Sequence, residues 1–79
     1  MNKVFSYNIA KTADSEAFKK ICNTIDSKMK DIKKEQLLVD VDGTQIQIYN
    51  SSAGKIKVYN DYEVDAVYID SDMDLSNII

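Results

Sequence analysis

Apolar residues recur at helical spacing in one stretch of this chain and alternate through most of the rest. Between residues 14 and 34, Phe18, Cys22, Ile25, Met29 and Ile32 follow at intervals of four, three, four and three, and Ile21 widens the stripe. That period places them on one face of an amphipathic helix. The positions between them, such as Lys19, Lys20, Asn23, Asp26, Lys30 and Lys34, suit water. Thr12 or Asp14 can accept hydrogen bonds from the free N–H groups of the first turn. Asp14 and Glu16 at one end and Lys30, Lys33 and Lys34 at the other complement the helix dipole. The stripe is too short for a coiled-coil seam, so packing against a sheet is expected.

Strand patterns surround it. Residues 3–10 alternate, with Phe5, Tyr7 and Ile9 toward the helix and Val4, Ser6 and Asn8 away. An apolar run over 37–41 and an alternating run over 44–50 flank Asp42 and Gly43, which predicts a two-residue hairpin with positive φ at both. Within 44–50, Ile46 and Ile48 fall on one face and Gln45, Gln47 and Tyr49 on the other. After a turn at 51–54, residues 55–59 put Ile56 and Val58 on one side and Lys55, Lys57 and Tyr59 on the other. A tight turn at Asn60 and Asp61 leads to a last strand over 62–70. Its inward set is either Tyr62, Val64, Ala66 and Tyr68, or Val67 and Ile69 after a bulge. Residues 71–79 have no period and are expected to trail as a flexible tail.

The fold class that follows is α+β. A single helix packs on one face of a mostly antiparallel five-stranded sheet, in the order β-α-β-β-β-β, as one domain over residues 1–79. The first strand is expected beside the last, because antiparallel pairs are the commoner kind.

Composition narrows the chemistry. With no His, neither a Ser-His nor a Cys-His nucleophile pair can form. Cys22 stands alone, so no internal disulfide and no zinc site is expected, and its place on the apolar face reads as a small buried hydrophobe. Gly43 and Gly54 do not make a phosphate-cradling loop. No apolar run approaches membrane-spanning length and no signal segment opens the chain, so a cytoplasmic protein is expected.

Two short motifs have relatives elsewhere. Residues 37–44, an apolar strand ending in Asp40-x-Asp42-Gly43-Thr44, resemble the first motif of the haloacid dehalogenase-like phosphatases. The resemblance implies a nucleophile at Asp40 and an acid–base at Asp42. That family also needs a larger parallel sheet and further motifs around magnesium, and here the motif runs straight into a return strand. Asp70-x-Asp72-x-Asp74 resembles the opening of an EF-hand calcium loop, but Leu75 occupies the place of the required glycine. Neither motif carries an enzyme, a metal or a cofactor assignment.

Charge is uneven although the net value is only −3. Six of the ten lysines lie between Lys19 and Lys34, and there is no Arg. Beyond Lys57 the chain carries only acids: Asp61, Glu63, Asp65, Asp70, Asp72 and Asp74. They read either as an edge strand guarded against aggregation or as a mimic of a phosphate run that occupies a basic groove. Residue usage rich in Ile, Asn, Lys and Tyr fits an AT-rich genome, as phages often have. The expected function is a small non-enzymatic inhibitor or regulator, phage- or mobile-element-encoded and of the anti-CRISPR kind. It would bind the basic surface of a host protein through those six acids with Tyr49 and Tyr59. Alternatives are a homo-oligomeric structural, immunity or antitoxin-like module, and a single-strand nucleic-acid binder using the outer sheet face, where Gln45, Gln47, Tyr49, Lys55, Lys57 and Tyr59 are expected together. Acidity and the lack of Arg count against the last.

Overall fold

β1 (Phe5–Ala10) leads into α1 (Ser15–Lys28), followed by β2 (Lys33–Lys34), β3 (Leu38–Val39), β4 (Gln45–Ser51), β5 (Gly54–Asp61) and β6 (Ala66–Ser71). This is a computed structural model that describes residues 4–79, so the expected start of the first strand at residue 3 lies outside the described residues. The sheet runs β1-β6-β5-β4-β2, with β3 beside β2 along the same edge of β4, and every pairing is antiparallel. One helix on one face of an antiparallel sheet is the α+β architecture expected, and β1 does lie beside β6.

The second expected strand is broken in two. Lys34 opposes Tyr49 while Leu38 opposes Ile46, so four steps along the edge cover three on β4. The surplus residue makes a bulge over 35–37. The helix also ends short of residue 34. Asp14 caps its start, accepting from Glu16 N at 2.9 Å and Ala17 N at 3.4 Å. Its later turns hold Asn23, Thr24, Asp26 and Ser27, all poor helix formers. Thr24 Oγ1 and Ser27 Oγ donate back to the carbonyls of Lys20 and Asn23 at 3.0 and 2.7 Å. Met29 then turns extended. Met29 and Ile32 leave the helix but still pack against the core.

That core sets Phe18, Ile21, Cys22 and Ile25 of α1 against Tyr49, Ile56, Val58, Val67 and Ile69 of the sheet. β6 therefore turns Val67 and Ile69 inward, and residues 62–65 are a turn instead of strand.

β4 has its faces opposite to expectation. Tyr49 and Gln47 are buried, while Ile46 and Ile48 lie half-buried on the outer face. The cause is the connection to β5, only Ser52 and Ala53 long, which pairs Ser51 with Gly54. In that register Tyr49 opposes Ile56 and Gln47 opposes Val58. Directly opposed residues share a face, so an inward Ile56 and Val58 bring Tyr49 and Gln47 inward with them. The buried polar atoms are satisfied: Tyr49 Oη donates to the Cys22 carbonyl at 3.3 Å, and Gln47 Nε2 to the Glu35 carbonyl at 2.6 Å.

The chain after β6 does not trail away. Leu75 is buried in the core, with Met73 and Ile78 packed against it. Tyr7 Oη accepts from Leu75 N at 2.7 Å and donates to Asp74 Oδ1 at 3.0 Å, fastening this segment over β1. The tail lacks a period because it is anchored by single side chains and not by a regular element.

Candidate protein-binding surface

Antiparallel pairing puts the start of β4 at the same end of the sheet as the finish of β5, so the β3–β4 and β5–β6 connections lie side by side. The first is not a two-residue loop. Asp40 N donates to the Thr44 carbonyl at 2.8 Å and Gly43 N to the Asp40 carbonyl at 3.0 Å. Gly43 has φ +88°, and Asp42 is not among the residues with positive φ. This is a turn over residues 40–43 closed by a left-handed glycine, the next commonest hairpin solution. Asp40 Oδ1 accepts from Val41 N at 2.7 Å, and Asp42 Oδ1 from Thr44 N at 2.9 Å. The Thr44 hydrogen bonds hold the Asp42 carboxyl below its usual range. The two acids of the phosphatase-like motif thus shape a hairpin in an antiparallel sheet.

The second connection is built the same way. Asp61 Oδ1 accepts from Glu63 N at 2.9 Å and Val64 N at 3.3 Å. Asp65 adopts φ +58°, a left-handed conformation that Asp tolerates better than most residues, and its Oδ1 accepts from Ala13 N at 2.8 Å. The loops touch where Tyr62 N donates to Thr44 Oγ1 at 3.1 Å and the Tyr62 ring lies beside Gly43.

On this shared end three apolar side chains face water. Val41 is fully exposed, Val64 is 63% exposed and Tyr62 47%. Around them stand Asp40, Asp42, Asp61, Glu63 and Asp65; Lys11, which follows β1, falls at the same end. Each of the three apolar residues is thus flanked in the chain by two of these acids.

The six acids expected to act together are therefore divided. Asp61, Glu63 and Asp65 belong to the loop end, whereas Asp70, Asp72 and Asp74 lie at the far end of β6, roughly 20 Å away at strand rise. The second group is tied into the fold. Asp70 opposes Lys57 across the ladder and accepts from Ser6 Oγ at 2.9 Å. Asp72 Oδ2 accepts from Lys55 N at 3.0 Å. Asp74 takes the Tyr7 hydroxyl and, at 2.9 Å, Ser76 N. Among the described residues no group of three or more His, Cys, Asp or Glu side chains is placed to hold a metal ion.

The expected tyrosines separate too. Tyr49 is 0% exposed and cannot touch a partner, for the register reason given above. Tyr59 is on the outer face, where Ile46 and Ile48 replace the expected Gln45, Gln47 and Tyr49 beside Lys55 and Lys57. Its ring stacks on Tyr68 at 4.6 Å between centroids and 15° between planes. Tyr68 Oη donates to Asp61 Oδ2 at 3.0 Å.

Burial and the Asp61 carboxylate raise Tyr68 from 10.0 to about 12, and burial with Asp70 and Asp61 also raises Tyr59. Because the folded value is the higher one, the stability carried by the Tyr68–Asp61 bond is complete below pH 10.0 and declines as pH rises toward about 12. Alkaline melts of the wild type should therefore fall more steeply over that window than those of Tyr68→Phe, as followed by circular dichroism. Parallel curves would count against the bond.

Val41, Tyr62 and Val64 escaped the sequence reading because apolar residues in strand-like runs are assigned to strands. Their signal was position: each is bracketed by acids in the turn segments 40–43 and 61–65. Among the described residues no helix is long and apolar enough to cross a membrane. Comparison with protein-family models, with curated proteins and with solved structures returns no match.

Proposed function

We propose that this chain is a non-catalytic protein-binding module that docks through its loop end onto a surface of another protein that is basic at its border and apolar within. The observation that carries this reading is the joint exposure of Val41, Tyr62 and Val64 on two touching loops that also carry Asp40, Asp42, Asp61, Glu63 and Asp65. A contiguous apolar patch rimmed by polar groups is the usual anatomy of an interaction site. The carboxylate border adds fast, salt-sensitive association with a positively charged partner and discriminates against acidic ones. A nucleic-acid-binding groove has that chemistry, so the module would compete with nucleic acid there, as an inhibitor of the phage or mobile-element type does. Tyr59, Asp70, Asp72 and Asp74 stay outside this contact.

The test uses substitutions that leave loop hydrogen bonds alone. Immobilised wild-type protein is incubated with cell extract at low and high salt, beside Val41→Ser/Val64→Ser and beside Asp70→Asn/Asp74→Asn. Captured protein should disappear with the first pair, persist with the second and fall at high salt. Equal capture by wild type and Val41→Ser/Val64→Ser would overturn the proposal.

A further inference from the structure

The parity that brings Tyr49 inward also turns Gln45 and Gln47 toward the helix side of the sheet. Such amides are ordinarily left to solvent. α1 lies chiefly over β5 and β1. Between its margin and the bulge over 35–37 there is a cavity of about 250 Å³ that both amides line. Phe18, Cys22 and Leu37 give it apolar walls, and Lys19 and Lys34 supply cations. No carboxylate lines it, and burial raises the Cys22 thiol, which stays neutral. Each amide has one end spent on the fold. Gln47 is 4% exposed, and its Nε2 donates to the Glu35 carbonyl at 2.6 Å. That bond fixes the amide, because the reversed orientation would set oxygen against oxygen. Its Oε1 then has no partner among the described residues. Every fully buried side-chain N or O among them is paired, so this oxygen is not sealed in; it opens onto the cavity that Gln47 lines. Gln45 is the converse. Its Oε1 accepts from Asn60 Nδ2 at 3.1 Å, which leaves Nε2 free, and Asn60 is itself held by Asp14 N donating to its Oδ1 at 3.0 Å. One free acceptor and one free donor thus stand two residues apart on one strand face.

We propose that this cavity binds a small lactam ring bearing an anionic group: the ring N–H donates to Gln47 Oε1, the neighbouring C=O accepts from Gln45 Nε2, and the anion lies beside Lys19. The site is separate from the loop end and does not depend on it. Size limits the ligand to one ring, since about 250 Å³ lies below the roughly 300–1,000 Å³ of pockets for drug-sized molecules. Charge selects an anion. Lys19 has no ion pair among the described residues, and Lys34 pairs with Asp26 at 3.1 Å, both side chains partly exposed. A solvent-screened pair of that kind yields to a second anion at little cost. The free oxygen selects the N–H. A ligand lacking a donor would shut Gln47 Oε1 away from water without replacing its hydrogen bond, a desolvation loss that counts against fatty acids and plain aromatic acids. Uracil nucleotides and uracil carboxylates share the chemistry that remains.

Titration of the isotope-labelled full chain with uridine monophosphate, orotate, benzoate and inorganic phosphate, each to about 1 mM and followed by NMR, tests this. Saturable shifts of the Gln45 and Gln47 side-chain amides are expected from the nucleotide or from orotate, and whichever binds more tightly identifies the source of the anion. Benzoate, with no N–H, and phosphate, with no ring, should leave those signals in place. Lys19→Glu should weaken binding roughly tenfold, as loss of a charge-assisted contact does. Gln47→Met keeps the volume without the free oxygen and should abolish it. Asn23→Trp fills the cavity mouth from an exposed helix position and should abolish it too, so that variant decides the matter if Gln47→Met fails to fold. Failure of both ring ligands to shift these amides by about 1 mM overturns the proposal. So does binding that Lys19→Glu, Asn23→Trp or a folded Gln47→Met leaves unchanged. An equal response to benzoate or phosphate overturns it as well, since the lysines would then be holding any anion.

Discussion

Tyr49→Ala is expected to destabilise the fold by about 3–5 kcal/mol, the cost of truncating a fully buried aromatic side chain. Ile48→Ala, one position away, should cost less than about 1.5 kcal/mol because the side chain it shortens is half-buried on the outer face. The contrast is the reverse of what hydrophobicity alone suggests for these neighbours. A chain of 79 residues has a total stability of about 4–12 kcal/mol. Loss of Tyr49 therefore removes a large share of it, and the urea midpoint should fall toward zero. The ring does two things that Ala cannot. It fills the space between Cys22 of α1 and Ile56 of β5, and its hydroxyl donates to the Cys22 carbonyl. Tyr49→Phe should therefore keep most of the stability, as it retains the filled volume. Urea unfolding of the three variants checks the assignment. An Ile48→Ala loss larger than that of Tyr49→Ala would mean the strand is turned the other way.

What could be read from the residues was whatever a single element decides by itself. The stripe from Phe18 to Ile25 marks the buried helix face without reference to any neighbour. Alternation in 55–59 identifies Ile56 and Val58 as a core pair, and Phe5 and Tyr7 oppose the buried Ser71 and Ile69 as their spacing implies. What could not be read was whatever depends on two elements at once. Alternation says that Ile46 and Ile48 share a face, but not which face; that is settled by the pairing of β4 with β5. The same holds for the acids. Composition shows a run from Asp61 to Asp74, but β6 carries its two ends to opposite sides of the sheet. Lys55 and Lys57 then compensate one half, while Val41 and Tyr62 accompany the other. The tail was illegible for a related reason. Leu75 is held by Tyr7, far away in the chain, and no local pattern announces such a contact.

Gly54→Ala should cost about 2–6 kcal/mol, combining the 1–3 kcal/mol of a strained backbone with the similar cost of overpacking. For a domain of this size even the lower figure lowers the thermal midpoint by roughly 8–16 °C. Gly54 has φ +138°, which L side chains rarely adopt. A Cβ placed there would lie 2.5 Å from Asp72 Cβ and 2.9 Å from Asp72 Oδ2. Asp72 cannot retreat cheaply. Its N donates to the Lys55 carbonyl at 3.0 Å while its Oδ2 accepts from Lys55 N at 3.0 Å, so both ends of the residue are held to β5. The position matters beyond its own energy, because Gly54 closes the two-residue connection whose length sets the parity of β4 against β5. A connection one residue longer would place Ile48 and Ile56 on the same face and expel Tyr49 from beneath the helix. Asp72→Gly in the Gly54→Ala background removes the colliding Cβ and should return part of the loss, while Asp72→Ala, which keeps that atom, should return none. Thermal melts of the three variants separate the contact from the backbone strain. A Gly54→Ala loss below about 0.5 kcal/mol, the ordinary range for a surface position, would show that the turn relaxes and that some other constraint holds the register.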